Sequence, residues 1–121
     1  MITIYQIKLT NSQVDAFNAG TSVPSIEAKR KLMFGAKKFT PDMLQYFTEV
    51  YEVETDDLEK AFELTNLWNN GHLVRAVPGT RGHSSSVGDI FSQDGRFYMV
   101  DSFGFTELKL FNDEVEMLEA A

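Results

Sequence analysis

The chain has 121 residues, 43% of them apolar and 24% charged, with 18 acidic against 11 basic side chains and a formal net charge of -7. Such a length supports one globular domain with its own core, and the absence of cysteine excludes a disulfide framework, a thiolate zinc site, an Fe–S cluster and a cysteine nucleophile. With only His72 and His83 a histidine-rich metal centre is excluded as well, and no apolar run approaches the roughly 20 residues that span a bilayer.

The opening MITIYQIKLT alternates and lacks the apolar centre of a signal peptide, so a cytoplasmic protein away from membranes is expected. Residues 2–9 read as a first strand, with Ile2 and Ile4 on one face and Tyr5, Ile7 and Leu9 on the other. Residues 10–25 are polar, with Gly20 and Pro24, and read as a loop with a short helix near Val14–Phe17. Residues 26–38 suit a basic helix that Gly35 interrupts. Pro41 opens a turn or a short helical segment, since proline favours the first helical position. Residues 46–53, rich in aromatic and β-branched side chains, read as a second strand.

Glu54-Thr55-Asp56-Asp57 then reads as a helix start, with Thr55 as cap and the two aspartates complementing the positive end of the dipole. Leu58, Ala61, Phe62 and Thr65 form one stripe, widened by Leu64, Leu67 and Trp68, so the helix is expected over about 56–68. Asn69-Asn70-Gly71 is the expected stop, Gly71 supplying the left-handed residue. An extended stretch from His72 leads to a loop around Pro78-Gly79 and Gly82.

Val87–Ser92 and Phe97–Ser102 flank Gln93-Asp94-Gly95-Arg96, and Asp-Gly is the signature of a two-residue type I′ hairpin. That register sets Phe91 opposite Tyr98, Ile90 opposite Met99 and Asp89 opposite Val100. Ile90, Phe97 and Met99 then share one face, and Val87, Phe91, Tyr98 and Val100 the other. A hairpin apolar on both faces is covered on both, which places it centrally in its sheet. Leu108–Phe111 suits a further strand and residues 112–121 a short acidic tail helix. The expected fold is a single α+β domain over residues 1–121, a small antiparallel sheet with the central hairpin 87–102 packed against the main helix.

Charge is unevenly spread. Residues 42–63 hold Asp42, Glu49, Glu52, Glu54, Asp56, Asp57, Glu59 and Glu63 against Lys60, whereas residues 29–38 hold Lys29, Arg30, Lys31, Lys37 and Lys38 and no acid. Such asymmetry orients a molecule towards a charged partner, while an acidic surface forgoes the counterion release that drives duplex DNA binding. A candidate partner surface is therefore Glu49, Glu52, Glu54, Asp56, Asp57 and Glu59. Phe103 and Phe105, around Gly104, are either core plugs or an exposed partner patch.

The run Arg81 to Asp89 contains His83, Ser84, Ser85 and Ser86. Adjacent residues of an extended chain point to opposite faces, and catalytic triads are recognised by geometry rather than adjacency, so no nucleophilic site is assigned. Arg81, His83, Ser84, Ser86 and Asp89 are a candidate loop for a phosphate or carboxylate, although neither GxxxxGK[ST] nor GxGxxG is present. The alternative is that the serines, His83, Asp89 and Asp101 satisfy backbone groups in turns. Asp89 and Asp101 fall on opposite faces of the expected register and form no acid/base pair. No catalytic residue, metal ligand or cofactor is assigned.

Gly82-His83-Ser84-Ser85-Ser86-Val87-Gly88-Asp89-Ile90, then Asp94-Gly95, then Tyr98-Met99-Val100-Asp101-Ser102-Phe103-Gly104-Phe105, resembles the YodL-like domain, which typically shows G-H-S-L-S-V-S-D-V, a short hairpin and Y-Y-x-D-S-F-G-F. Ile4-Tyr5-Gln6-Ile7 and Val50-Tyr51-Glu52 before Leu58-Glu59-Lys60-Ala61-Phe62 resemble its upstream layout. The resemblance implies a small accessory protein of a phage or mobile genetic element, in a bacterial cytoplasm, with no established catalytic residue. The expectation is a non-enzymatic protein that binds and modulates a host or element protein, as in host takeover or counter-defence. The other reading is a phosphate- or nucleotide-binding or catalytic domain using the 81–89 loop.

Overall fold

The computed structural model describes residues 1–67 and 72–120. Its strands are β1 (Ile2–Ile7), β2 (Phe47–Val53), β3 (Val74–Ala76), β4 (Ile90–Gln93), β5 (Arg96–Val100) and β6 (Phe105–Leu108). They form one sheet in the order β3-β2-β1-β4-β5-β6, with every neighbouring pair antiparallel. The helices are α1 (Asn11–Asn18), α2 (Pro24–Leu32), α3 (Leu58–Thr65) and α4 (Asn112–Ala120), with short 3-10 segments at Ala36–Lys38 and Pro41–Tyr46. The architecture is α+β, as the alternation and the hairpin predict.

The sheet is covered on both faces. Tyr5, Ile7, Phe47, Ile90, Phe97, Met99 and Leu108 pack beneath Ala28 and Leu32 of α2, Met43 and Leu44 of the second 3-10 segment and Leu118 of α4. Ile2, Ile4, Val50, Val53, Phe91 and Val100 pack against Ala61 and Leu64 of α3. Phe91 is fully buried, and burying such a side chain contributes roughly 1.5–3 kcal/mol. The expected main helix thus covers one face only, and the basic helix and the tail cover the other.

The hairpin follows the expected register: Ile90 lies opposite Met99, Phe91 opposite Tyr98 and Gln93 opposite Arg96. Asp94 at φ 52° and Gly95 at φ 77° supply the two left-handed residues of the turn. A bulge interrupts the β1–β2 ladder: Ile4 pairs with Tyr51 but Tyr5 with Glu49, leaving Val50 as the extra residue. The bulge puts Val50 on the same face as Val53 although they are three positions apart.

Three local expectations shift. The cap of α3 is Asp57, whose carboxylate accepts from the backbone N–H groups of Glu59 (2.9 Å) and Lys60 (3.2 Å), while the Thr55 hydroxyl accepts from Asp57 N. Helix α3 runs over Leu58–Thr65, shorter than the expected 56–68, with Asn66 as its C-cap and Leu67 beyond it; Trp68 and the expected stop at Asn69-Asn70-Gly71 lie outside the described residues. The last strand begins at Phe105 rather than Leu108, because the turn Asp101–Gly104, closed by Asp101 N–H donating to Gly104 O with Gly104 at φ +68°, returns the chain directly onto β5. No helix among the described residues is long and apolar enough to cross a membrane.

Candidate functional site

Strand β1 carries a glutamine inside an apolar run, and Gln6 is fully buried. Burying an amide requires partners, and the 81–89 loop supplies them. Gln6 Nε2 donates to His83 O (2.8 Å) and to Asp89 Oδ2 (3.0 Å), and Gln6 Oε1 accepts from His83 N (2.9 Å). Asp89 Oδ2 also accepts from Ser86 N (3.1 Å). Lys8 Nζ donates to Arg81 O, and the hydroxyls of Ser85 and Thr65 bond to each other. The loop is therefore clamped by β1 through Gln6, by Lys8 just beyond that strand, and by α3 through Thr65.

The His83 ring has defined partners. Its Nδ1–H donates to Ser84 O (2.9 Å), which leaves Nε2 to accept from Lys29 Nζ (3.3 Å). Burial, opposed by the bond to Ser84 and reinforced by the nearby Lys29 and Lys8 ammoniums, holds the imidazole pKa below its ordinary value and favours the neutral ring. Burial also pushes the Asp89 carboxyl up to about 7, against the bonds from Ser86 and Gln6 and the field of Lys29. The Lys29 ammonium is held below its usual range by burial, against the attraction of Asp89.

This arrangement is not a nucleophile–base–acid relay. His83 bonds the Ser84 carbonyl rather than a hydroxyl, and Asp89 orients Ser86 and Gln6 rather than the imidazole. Arg81 and Ser84 are exposed and Ser86 is at the surface. The five candidate loop residues do not converge on one point. The groups that do converge are Gln6, Lys29, His83 and Asp89. Gln6 had a signal in the sequence, an amide on the face of Ile2 and Ile4; Lys29 had none, since it resembles any other cation of a basic helix.

Next to this cluster lies a pocket of about 310 Å³, whose walls include Ile7, Lys29, Leu32, Val87 and Asp89. A second, of about 400 Å³, lies across Val87 and is bounded by Glu59, Phe62, Val100, Asp101 and Phe105. The backbone of Gly88 passes close to α2: a Cβ there would sit 2.9 Å from Leu32 Cβ.

The acidic residues have divided roles. Asp57 caps α3, Asp56 pairs with the N-terminal ammonium at 3.0 Å, and Glu52 pairs with Arg75 of β3. Glu49 faces Tyr5, whose phenol is pushed up to about 12 by burial, then by Glu49 and Glu119. Glu54 and Glu59 are exposed. The two phenylalanines separate as well. Phe105 packs against Phe91 with ring centroids 5.3 Å apart and is a core plug, whereas Phe103 is 96% exposed.

Asp101 braces the turn that presents Phe103. Its Oδ1 accepts from Ser102 N (2.8 Å) and from Ala36 N (3.3 Å), and its Oδ2 from Thr106 Oγ1 (2.6 Å). The Thr106 bond leads in holding this carboxyl below its ordinary range. Asp101 and Asp89 thus serve separate turns. No protein-family model, curated protein or solved structure matches the chain.

Proposed function

We propose that this chain is a YodL-like accessory protein of a phage or mobile genetic element, which acts in the bacterial cytoplasm by binding another protein. The observation that carries the binding role is Phe103, an aromatic side chain 96% exposed on a turn that Asp101 fastens to residue 36 and to Thr106. An exposed ring on a mobile tip loses entropy when it docks; a ring on a braced turn loses less. Phe34 and Met33 are also exposed, one and two residues before Gly35, whose position abuts Asp101. Phe34 borders a depression shared with Lys31 and Lys38. A partner complementary to this face has an apolar cleft for Phe103 and an acidic rim, and the chain's overall net charge of -7 repels such a rim from its acidic faces.

The resemblance of residues 82–105 supports the element context, and that run builds the clamped loop, the hairpin and the Phe103 turn. The test is affinity purification of the tagged chain from bacterial cells with quantitative mass spectrometry. Phe103→Ser and a variant with Glu49, Glu54 and Glu59 changed to Lys serve as controls. One protein enriched at near-equal stoichiometry, and lost with Phe103→Ser while the variant stays folded, supports the reading. Equal capture by wild type and Phe103→Ser overturns this docking face.

A further inference from the structure

The pocket beside the clamped loop has two charged walls that are not paired with each other. Asp89 is 95% buried, at 5% relative exposure, and both of its protein hydrogen bonds go to Oδ2. Among the described residues Oδ1 has no partner, yet the sealed side-chain polar atom without one is Ser25 Oγ, so Asp89 Oδ1 keeps an opening. Asp89 is one wall of the pocket. Lys29 lines the same pocket. Its ammonium contacts two neutral acceptors at the long end of the hydrogen-bond range, Ile7 O at 3.4 Å and His83 Nε2 at 3.3 Å, and no carboxylate lies within ion-pair distance among the described residues.

The other walls include Ile7, Leu32, Met33 and Val87. A concave, largely apolar site with a few convergent polar groups is the usual form of a small-molecule site. The volume, about 310 Å³, falls at the lower end of the roughly 300–1,000 Å³ that such sites occupy. A half-buried ammonium and a buried carboxylate are costly when unmatched. The ligand that matches both presents a cationic donor to Asp89, an anion to Lys29 and an apolar side chain to the remaining walls.

We propose that this pocket binds a small apolar zwitterion of the free α-amino acid class, its ammonium on Asp89 Oδ1, its carboxylate on Lys29 and its side chain against Ile7, Leu32 and Val87. The site shares Met33 with the Phe103 face but does not depend on Phe103 itself.

The test is a methyl NMR titration, with thermal shift in parallel, using leucine, methionine and phenylalanine as probes at millimolar concentration. Isocaproate and isopentylamine are the comparators that lack one charged group each. The expected result is saturable movement of the Ile7, Leu32 and Val87 methyl signals by at least one of the amino acids. Each comparator binds about tenfold or more weakly, the effect of one lost charged hydrogen bond. Asp89→Asn and Lys29→Met each weaken the amino acid to a similar extent. Val87→Phe, which narrows the pocket without touching its charges, abolishes the shifts and keeps the test decisive if either charge variant fails to fold. The proposal is overturned if none of the three amino acids moves those methyls. Isocaproate binding as tightly as leucine, or shifts that survive in Val87→Phe, overturns it equally.

Discussion

Replacing Asp89 by Asn isolates the titration of one buried carboxyl. In the folded chain burial pushes its pKa up from 3.8 to about 7. Between those values the native state holds a proton that the unfolded state has released, so stability falls as pH rises. The contribution is fully present below about pH 4 and is lost as pH passes about 7. Roughly three pH units at about 1.4 kcal/mol each give a fall of up to about 4 kcal/mol. With a urea m-value of about 2 kcal/mol/M this corresponds to a midpoint shift of about 2 M. Asn keeps an oxygen for the Gln6 and Ser86 donors and removes the proton. His83 acts in the opposite sense, because its lowered pKa makes stability decline as pH falls below its ordinary value of 6.5. It is present in both proteins, so the difference between their curves reports Asp89. Urea unfolding of both at intervals from about pH 4 to about pH 8 is the assay. Parallel curves would refute the reasoning, since they would mean that Asp89 titrates alike in folded and unfolded chains.

Other perturbations follow from the same geometry. Gln6→Leu removes three hydrogen bonds, one buried and two part-buried, and strands the backbone of His83; a loss of about 3 kcal/mol in chemical denaturation is expected, and a loss under about 1 kcal/mol would mean that water replaces the amide. Gly88→Ala imposes a side chain at φ +97° and within 2.9 Å of Leu32 Cβ, which should cost about 2–3 kcal/mol; a neutral effect would show that α2 shifts freely. Asp57→Ala should lower stability by about 1 kcal/mol through loss of the α3 cap, a change that circular-dichroism melts resolve. Phe103→Ser should leave the melting curve within about 0.5 kcal/mol of wild type; a larger fall would place the ring in a packed environment.

The elements were largely legible in the chain because their signals are local. The Asp94-Gly95 turn fixes its own register, since both central residues need positive φ and the two-residue loop leaves one pairing. The alternation of Ile2, Ile4, Tyr5 and Ile7 separates the two faces of β1, and both faces are packed as that pattern requires. The boundaries were less legible. Thr55 and Asp57 both suit a helix cap, and only the geometry of the preceding bend decides which carboxylate or hydroxyl reaches the free N–H groups. The bulge at Val50 leaves no mark in the residues 46–53, because it depends on how β2 pairs with β1.

The candidate site divides the same way. Sequence alone determined that residues 81–89 carry polar chemistry and that residues 87–102 hold a hairpin covered on both faces, and it left Phe103 and Phe105 as either core plugs or an exposed partner patch. Tertiary structure decided that Phe105 packs on Phe91 while Phe103 faces solvent, and that Arg81 and Ser84 turn outward. It also decided that Asp89 meets Gln6, 83 residues away in the chain, with Lys29 on the wall of the same pocket. Periodicity assigns a side chain to a face of its own element, but a cluster drawn from β1, α2 and a distant loop exists only once those elements pack, because burial is what forces each polar group to find the others.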